Sequence, residues 1–289
     1  MEKQTRDYNT ISPSAQALLL MKGLTDIPFA REAAQLMLAP APYIPDYDRK
    51  EPAFWGRLVH FENRYHSIDQ LLQGIPHPNI LELSSGFSFR GLAAVQQQGL
   101  HYIDTDLPDL IATKQRFLHD LQQHLPPAKG TLEILPLNAL DEQQFTAVTS
   151  RFAAGPLTIV NEGLLMYLGP EEKSTLCGLI RQTLEARGGY WITADIYIKR
   201  DREAEQGVGA IDELSSFFAQ HRINDNMFVS FEEAAAFFRE AGFEIDKEAE
   251  TDYTRLTSFN YLLKNTDAAM REKMRQRGKI QATWRLRLR

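Results

Sequence analysis

The sequence predicts an α/β protein built on a doubly wound, mainly parallel, seven-stranded sheet. Two observations and one rule of chain topology carry that expectation. Between residues 79 and 250, short apolar runs alternate with amphipathic stretches at the spacing of strand–helix–strand units. Right-handed crossovers between such strands place helices on both faces. A further run, "TWRLRLR" at 283–289, alternates strictly and puts Trp284, Leu286 and Leu288 on one face, as a last strand does.

Ahead of the sheet, residues 12–38 read as helical, with Ser12 as a candidate N-cap and Pro13 at the first helical position. Pro40, Pro42 and Pro45 then break the pattern. Residues 51–73 read as helical again and end near Gly74. These segments define an expected N-terminal helical cap over 1–75 and a larger domain over 76–289. The strands expected in that domain are "NILEL" (79–83), "HYIDTD" (101–106), "TLEILPL" (131–137), "LTIVNE" (157–162), "GYWITADIY" (189–197) and "FEIDKEAE" (243–250). Helices are expected at 91–98, 107–125, 141–152, 169–186 and 230–241. Residues 198–229 are expected to form a lid or acceptor-binding insertion with Gly207 and Gly209 as hinges. A second insertion over 251–279 is expected to be helical at about 256–278.

Composition narrows the function classes. The chain has 289 residues, 43% hydrophobic and 24% charged, with a formal net charge of −6. That balance argues against nucleic acid as a partner. Eight Lys or Arg and two Asp or Glu lie between Thr266 and Arg289, a basic tail of net +6, expected to be a solvated face. A single cysteine, Cys177, excludes a disulfide within the chain and a cysteine-rich metal site. His60 and His66 stand six apart on one predicted helix, which is not ligand spacing, and no metal is expected. No run approaches the ~18 apolar residues of a membrane span, and the first ten residues lack a signal-peptide core. A cytoplasmic location without membrane partners is the expectation.

Doubly wound sheets bind ligands beyond the carboxyl ends of their strands. The residues to read are therefore those at the strand tips. "ELSSGFS" follows the first strand and brings small residues to a helix start. Asp104 and Asp106 close the second, where a carboxylate can accept from a ribose diol. Asn138 follows the third, placed to read an adenine edge, and Glu162 and Gly163 stand at the tip of the fourth. Each is weak alone, since a glycine turn after a strand is usually only a turn. Four in order at one sheet edge fit a nucleoside with a polar tail. A dinucleotide loop would need Gly-x-Gly-x-x-Gly, whereas this turn has only Gly86 and Gly91, and no phosphate-binding Gly-Lys-Ser/Thr occurs.

Three stretches, "ILELSSGFSFRGL", "HYIDTDLPDLIATKQRFL" and "LTIVNEGLLMYLGPEE", together with "NRYHSID" at 63–69, resemble the class I S-adenosylmethionine-dependent methyltransferases. Within that group the chain resembles the leucine carboxyl methyltransferase and TcmP-like O-methyltransferase family. The resemblance covers residues 12–195 and fades over 200–289. It implies a Rossmann-like methyltransferase fold and S-adenosylmethionine as cofactor, without metal. It implies that Glu82, Ser84 and Gly86 line the methionine moiety and that Asp106, with Asp104, holds the ribose. It further implies that Asn138 and Ala139 flank the adenine, that Glu162 and Gly163 lie near the sulfonium, and that Arg64 pairs with the methionine carboxylate. Ser84 departs from the family pattern, which has glycine there.

The expected reaction is in-line methyl transfer to a small-molecule hydroxyl or carboxylate. A general base is needed only for a protonated acceptor, so no catalytic triad is required. Tyr197, His221 and Arg222 are the candidates for acceptor contact, beside Asp195; the plainer readings are a core or cap role for Tyr197 and Asp195 and a structural or surface role for His221. Phe217 and Phe218 are expected to be packing. Two other readings stand: a protein carboxyl methyltransferase, and a catalytically silent cofactor-binding or interaction module.

Overall fold

The structure is a computed structural model that describes residues 12–199, 223–276 and 278–289. Helices α1 (Ser12–Lys22) and α2 (Ala30–Leu38) replace the single helix expected over 12–38. The break has a local cause. Thr25 Oγ1 donates to the Lys22 carbonyl and accepts from the Ile27 amide, which turns the chain. Pro28 follows, and Phe29 takes a left-handed φ of 63°. Helix α3 (Pro52–Leu72) starts with proline at its first turn and buries Trp55, Leu58, Tyr65, Ile68 and Leu71 at helical spacing.

The strands are β1 (Asn79–Leu83), β2 (His101–Asp106), β3 (Thr131–Pro136), β4 (Leu157–Asn161), β5 (Gly189–Tyr197), β6 (Phe243–Glu248) and β7 (Gln281–Leu288). They form one sheet in the order β3-β2-β1-β4-β5-β7-β6. The first five pair in parallel, and β7 is antiparallel to both its neighbours. Every residue of β1 and β4 is buried, as parallel strands covered on both faces require. The doubly wound, mainly parallel seven-stranded sheet is therefore as expected.

Helices α4 (Arg90–Gln97), α5 (Pro108–Gln122), α6 (Glu142–Thr149), α7 (Pro170–Arg187) and α8 (Phe231–Glu240) cover the sheet. On one face Ile68 and Leu71 of α3 and Val95 of α4 pack on Ile80, Tyr102, Val160 and Ile192. On the other, Phe145, Leu176, Ile180 and Phe238 pack on Leu81, Ile159, Trp191 and Trp284. Gly91 lets α4 lie close to β2, because a Cβ there would stand 2.7 Å from the Tyr102 ring.

The helical stretch expected at 256–278 is two helices, α9 (Thr257–Lys264) and α10 (Ala268–Gln276). Buried Glu62 of α3 holds the start of α9, accepting from the Thr257 amide (2.8 Å) and hydroxyl (2.7 Å), the Ser258 amide (3.0 Å) and the Ser258 hydroxyl. The basic tail divides between α10, which carries Arg271, Lys273 and Arg275, and β7 with its approach, where acids of β6 answer the charge: Arg285 pairs with Asp246, Arg287 with Glu244 and Lys279 with Glu248. Among the described residues no helix is long and apolar enough to cross a membrane.

Candidate functional site

The strand order reverses between β1 and β4, so the loops beyond these strands diverge and leave a crevice. A cavity of about 270 Å³ occupies it. Its walls come from the segments after β1 (84–88), β2 (106–110), β3 (137–140) and β4 (162–168), closed by α1 and α3. Of the residues expected at a cofactor, Arg64, Glu82, Ser84, Gly86, Asp106, Asn138, Ala139, Glu162 and Gly163 all line it.

Asp104 does not. It is buried beneath α4 and α5, where its carboxylate pairs with Lys114 Nζ at 2.8 Å. Lys114 also donates to Ser85 Oγ at 2.8 Å, so this pair props the loop after β1 from below. Asp104 and Asp106 share one face of β2, but only Asp106, the last strand residue, projects past the sheet edge.

The Asp106 carboxylate accepts from the Gly86 amide (2.8 Å) and the Leu107 amide (2.7 Å). It ties two loops together across 20 residues of sequence. Burial pushes its pKa up, against those two amides and Lys114. Ser84, the departure from the family pattern, has a left-handed φ of 52°. A non-glycine residue there costs roughly 1–2 kcal/mol, so the backbone path expected of glycine is kept under strain. Asn138 turns its side-chain oxygen to the Leu140 amide (3.1 Å), and Gln144 accepts from its own amide (3.0 Å). With Leu107, Leu137, Ala139 and Leu140, this end of the cavity is a mainly apolar slot with one side-chain amide.

The opposite end is charged. Glu162 Oε1 lies 2.7 Å from Lys22 Nζ and 3.7 Å from Arg64 Nη2. Burial alone would raise the Glu162 pKa, but Lys22, Arg64 and Arg90 hold it at about 2. Burial lowers the Lys22 pKa and Glu162 opposes that. Glu82 meets the reverse outcome: burial pushes its carboxyl up to about 7 despite Arg90, Lys114 and a hydrogen bond from Tyr102. The cavity thus presents one firm anion beside two cations, and a second carboxyl poised near neutrality.

Asp195, for which a cap role is the plainer expectation beside an acceptor contact, caps the turn after β4. Its carboxylate accepts from the amides of Gly163 (2.6 Å), Leu164 (2.7 Å) and Leu165 (3.0 Å) and from Asn161 Nδ2 (2.7 Å). It shapes the turn that carries Glu162. Tyr197 is also not in the cavity wall. It is buried with Met166, Tyr167 and Ile223, and its hydroxyl meets His60 Nε2 at 2.7 Å. Its ring lies 5.7 Å from the Arg64 guanidinium. His221 and Arg222 lie outside the described residues, as do the expected hinges Gly207 and Gly209 and the phenylalanines Phe217 and Phe218.

Sequence reasoning missed Lys22 and Tyr167 as wall residues. Lys22 falls inside the single helix expected over 12–38, and its meaning comes from a partner 140 residues away. Tyr167 sits in the quoted "NEGLLMYL", and its hydroxyl meets Ser14 of α1 at 3.3 Å.

No protein-family model matches the chain, and no curated protein matches it in sequence. Similarity appears among solved structures. A DUF574 family protein from Streptomyces avermitilis aligns with a TM-score of 0.54 at 15% identity, over 97% of this chain and 100% of that one. A candidate methyltransferase from Thermobifida fusca aligns with a TM-score of 0.50 at 15% identity, over 94% of each chain. The chain spans 53% of the length of two further structures, a pericyclic reaction enzyme and LepI in complex with SAM, each with a TM-score of 0.45 at 10% identity. The strand order and the full-length alignments together establish that this chain has the Rossmann-like methyltransferase fold.

Proposed function

We propose that the chain is an S-adenosylmethionine-dependent methyltransferase acting on an oxygen, hydroxyl or carboxylate, of a small molecule. The observation that carries this is the pair formed by Lys22 and Glu162 at 2.7 Å in the cavity wall, with Arg64 beside it. A cation and an anion side by side complement an α-amino acid, whose ammonium and carboxylate share one carbon. Asp106 stands between that charged end and the apolar slot of Leu137, Ala139 and Leu140, where a ribose diol between an amino acid and a base would fall. The donor set therefore fits S-adenosylmethionine, as the resemblance to the TcmP-like O-methyltransferases implies.

The bound cofactor supplies an activated methyl group. The protein's part is alignment and exclusion of water. Lys22 and Arg64 would hold the carboxylate, Glu162 and Glu82 the ammonium, and Asp106 the ribose. Asn138 and Ala139 would flank the adenine. Helix α1 lays Ala15, Leu18 and Leu19 along the cavity as an apolar wall that keeps water out. Tyr197 and His60 back Arg64 from outside the cavity, a supporting place rather than an acceptor contact.

Calorimetric titration with S-adenosylmethionine and S-adenosylhomocysteine tests the reading, beside Asp106→Asn and Lys22→Met. Wild type should bind at micromolar levels. Each variant should lose roughly 10–100-fold, the worth of one hydrogen bond to a charged group. Folded wild-type protein that binds neither compound would sink the proposal. Binding without turnover across an acceptor screen would favour the silent-module reading.

A further inference from the structure

Beneath the cavity floor lies a guanidinium that the cavity wall does not include. Arg90, in the first turn of α4, is 3% exposed. Its Nη2 stands 3.3 Å from Glu162 Oε2, and its Nε 3.7 Å from Glu82 Oε2. Its Nη1 donates to the Tyr65 carbonyl (3.1 Å) and to Asp69, and the Tyr65 ring centroid lies 3.9 Å from Cζ. Glu82 belongs to β1 and Glu162 follows β4, its neighbour in the sheet. One planar fork thus reaches two cavity carboxylates from behind. Among the described residues Arg90 alone makes ion-pair contact with both.

We propose that Arg90 is the positioning residue of this site: from below, its one guanidinium holds the Glu82 and Glu162 carboxyls together and aims them at the ammonium end of the ligand. This inference rests on the S-adenosylmethionine reading. Glu162 offers Oε1 to the cavity cations and Oε2 to Arg90. A ligand carboxylate that engages Lys22 and Arg64 draws their charge away from Glu162. Arg90 is out of the ligand's reach and keeps its charge where it is. Glu82 depends on it more directly, since Arg90 is the foremost influence opposing the burial that neutralises this carboxyl.

The other groups facing the pair do not duplicate that role. Lys22 comes from α1, and Tyr65, Arg64 and Asp69 from α3. Tyr102 and Asp104 come from β2 and Lys114 from α5. Asp195 and Tyr197 lie on β5, and Tyr167 follows β4. Lys114 is occupied by Asp104 and Ser85, and Lys22 and Arg64 face the ligand.

The test is the affinity of S-adenosylhomocysteine for wild type and Arg90→Gln between pH 6 and 8.5, by calorimetry, with thermal melts at each pH. Comparing the two proteins at one pH cancels the titration of the ligand itself. The variant should bind about tenfold more weakly at pH 6, one pKa unit on Glu82. At pH 8.5, where Glu82 ionises unaided, the gap should close to within about threefold. A loss by the same factor at every pH marks a merely structural arginine and overturns the proposal, as does no loss at pH 6. Arg90→Lys, which keeps the charge but not the fork, serves if the glutamine variant does not fold. It should show the same pH-dependent gap at smaller size, and a pH-independent gap again overturns the proposal. Wild type that binds no ligand defeats the cofactor reading instead.

Discussion

Glu82 is a carboxyl whose charged form is disfavoured by burial. Its pKa rises from 4.5 to about 7 on folding, with burial the leading cause. A raised carboxyl favours the folded state below pH 4.5, and that contribution is lost as pH climbs to about 7. Glu82→Gln should therefore raise the unfolding free energy at pH 8 by on the order of 1–3 kcal/mol, seen as a higher melting temperature. At pH 4.5 the difference should vanish, and at pH 8 ligand affinity should fall. Thermal melts at the two pH values, with one titration, check all three. A variant no more stable than wild type at pH 8 would show that Arg90 and Tyr102 already offset the burial. Glu82 and Glu162 also show where residue-level reading stops. Both were expected at the cofactor and both line the cavity. Nothing in "ILELSS" or "IVNEG" tells that one is poised near neutrality and the other held at about 2. That difference comes from Lys22 and Arg64, which reach Glu162 from distant segments. Asp104 was misread for a related reason: two acids on one strand face look alike until the sheet edge is known.

At the scale of elements, the strands were legible because each is a short apolar run bounded by turns, and β1 and β2 fall where the pattern put them. Helices were less so. The Thr25 turn and Pro28 end α1 inside a stretch whose apolar periodicity continues, and α9 and α10 part at Asn265 in the same way. Helix α9 has a start signal that its own sequence does not contain. Its N-cap position is Leu256, which offers no side-chain acceptor, and the cap comes instead from Glu62, about two hundred residues earlier. Glu62→Ala leaves the Thr257 and Ser258 donors without that acceptor. It should cost about 2–4 kcal/mol, several times an ordinary surface change. Chemical denaturation would measure it, and a loss under 1 kcal/mol would mean that water reaches the helix start.

For the whole molecule the decisive piece is β7. It lies between β5 and β6, and among the described residues β6 has no other strand beside it. The basic tail expected to be a solvated face ends in this strand, whose Arg285 and Arg287 are answered across the pair by Asp246 and Glu244. Truncation before Gly278 should therefore abolish the cooperative melt rather than trim a surface feature, and circular dichroism would show it. A truncated chain that still melts sharply would mean that β6 can close directly on β5. The sequence carried the alternation of "TWRLRLR" but not its place, because antiparallel insertion between two earlier strands leaves no local mark. The strand order also dictates a schedule during translation. In the parallel half each strand after β1 leaves the ribosome with a partner already made: β1 for β2, β2 for β3, β1 again for β4, and β4 for β5. Strand β6 follows with its own partner still unmade, and must wait, one edge bare, until the chain has delivered β7 to both of them.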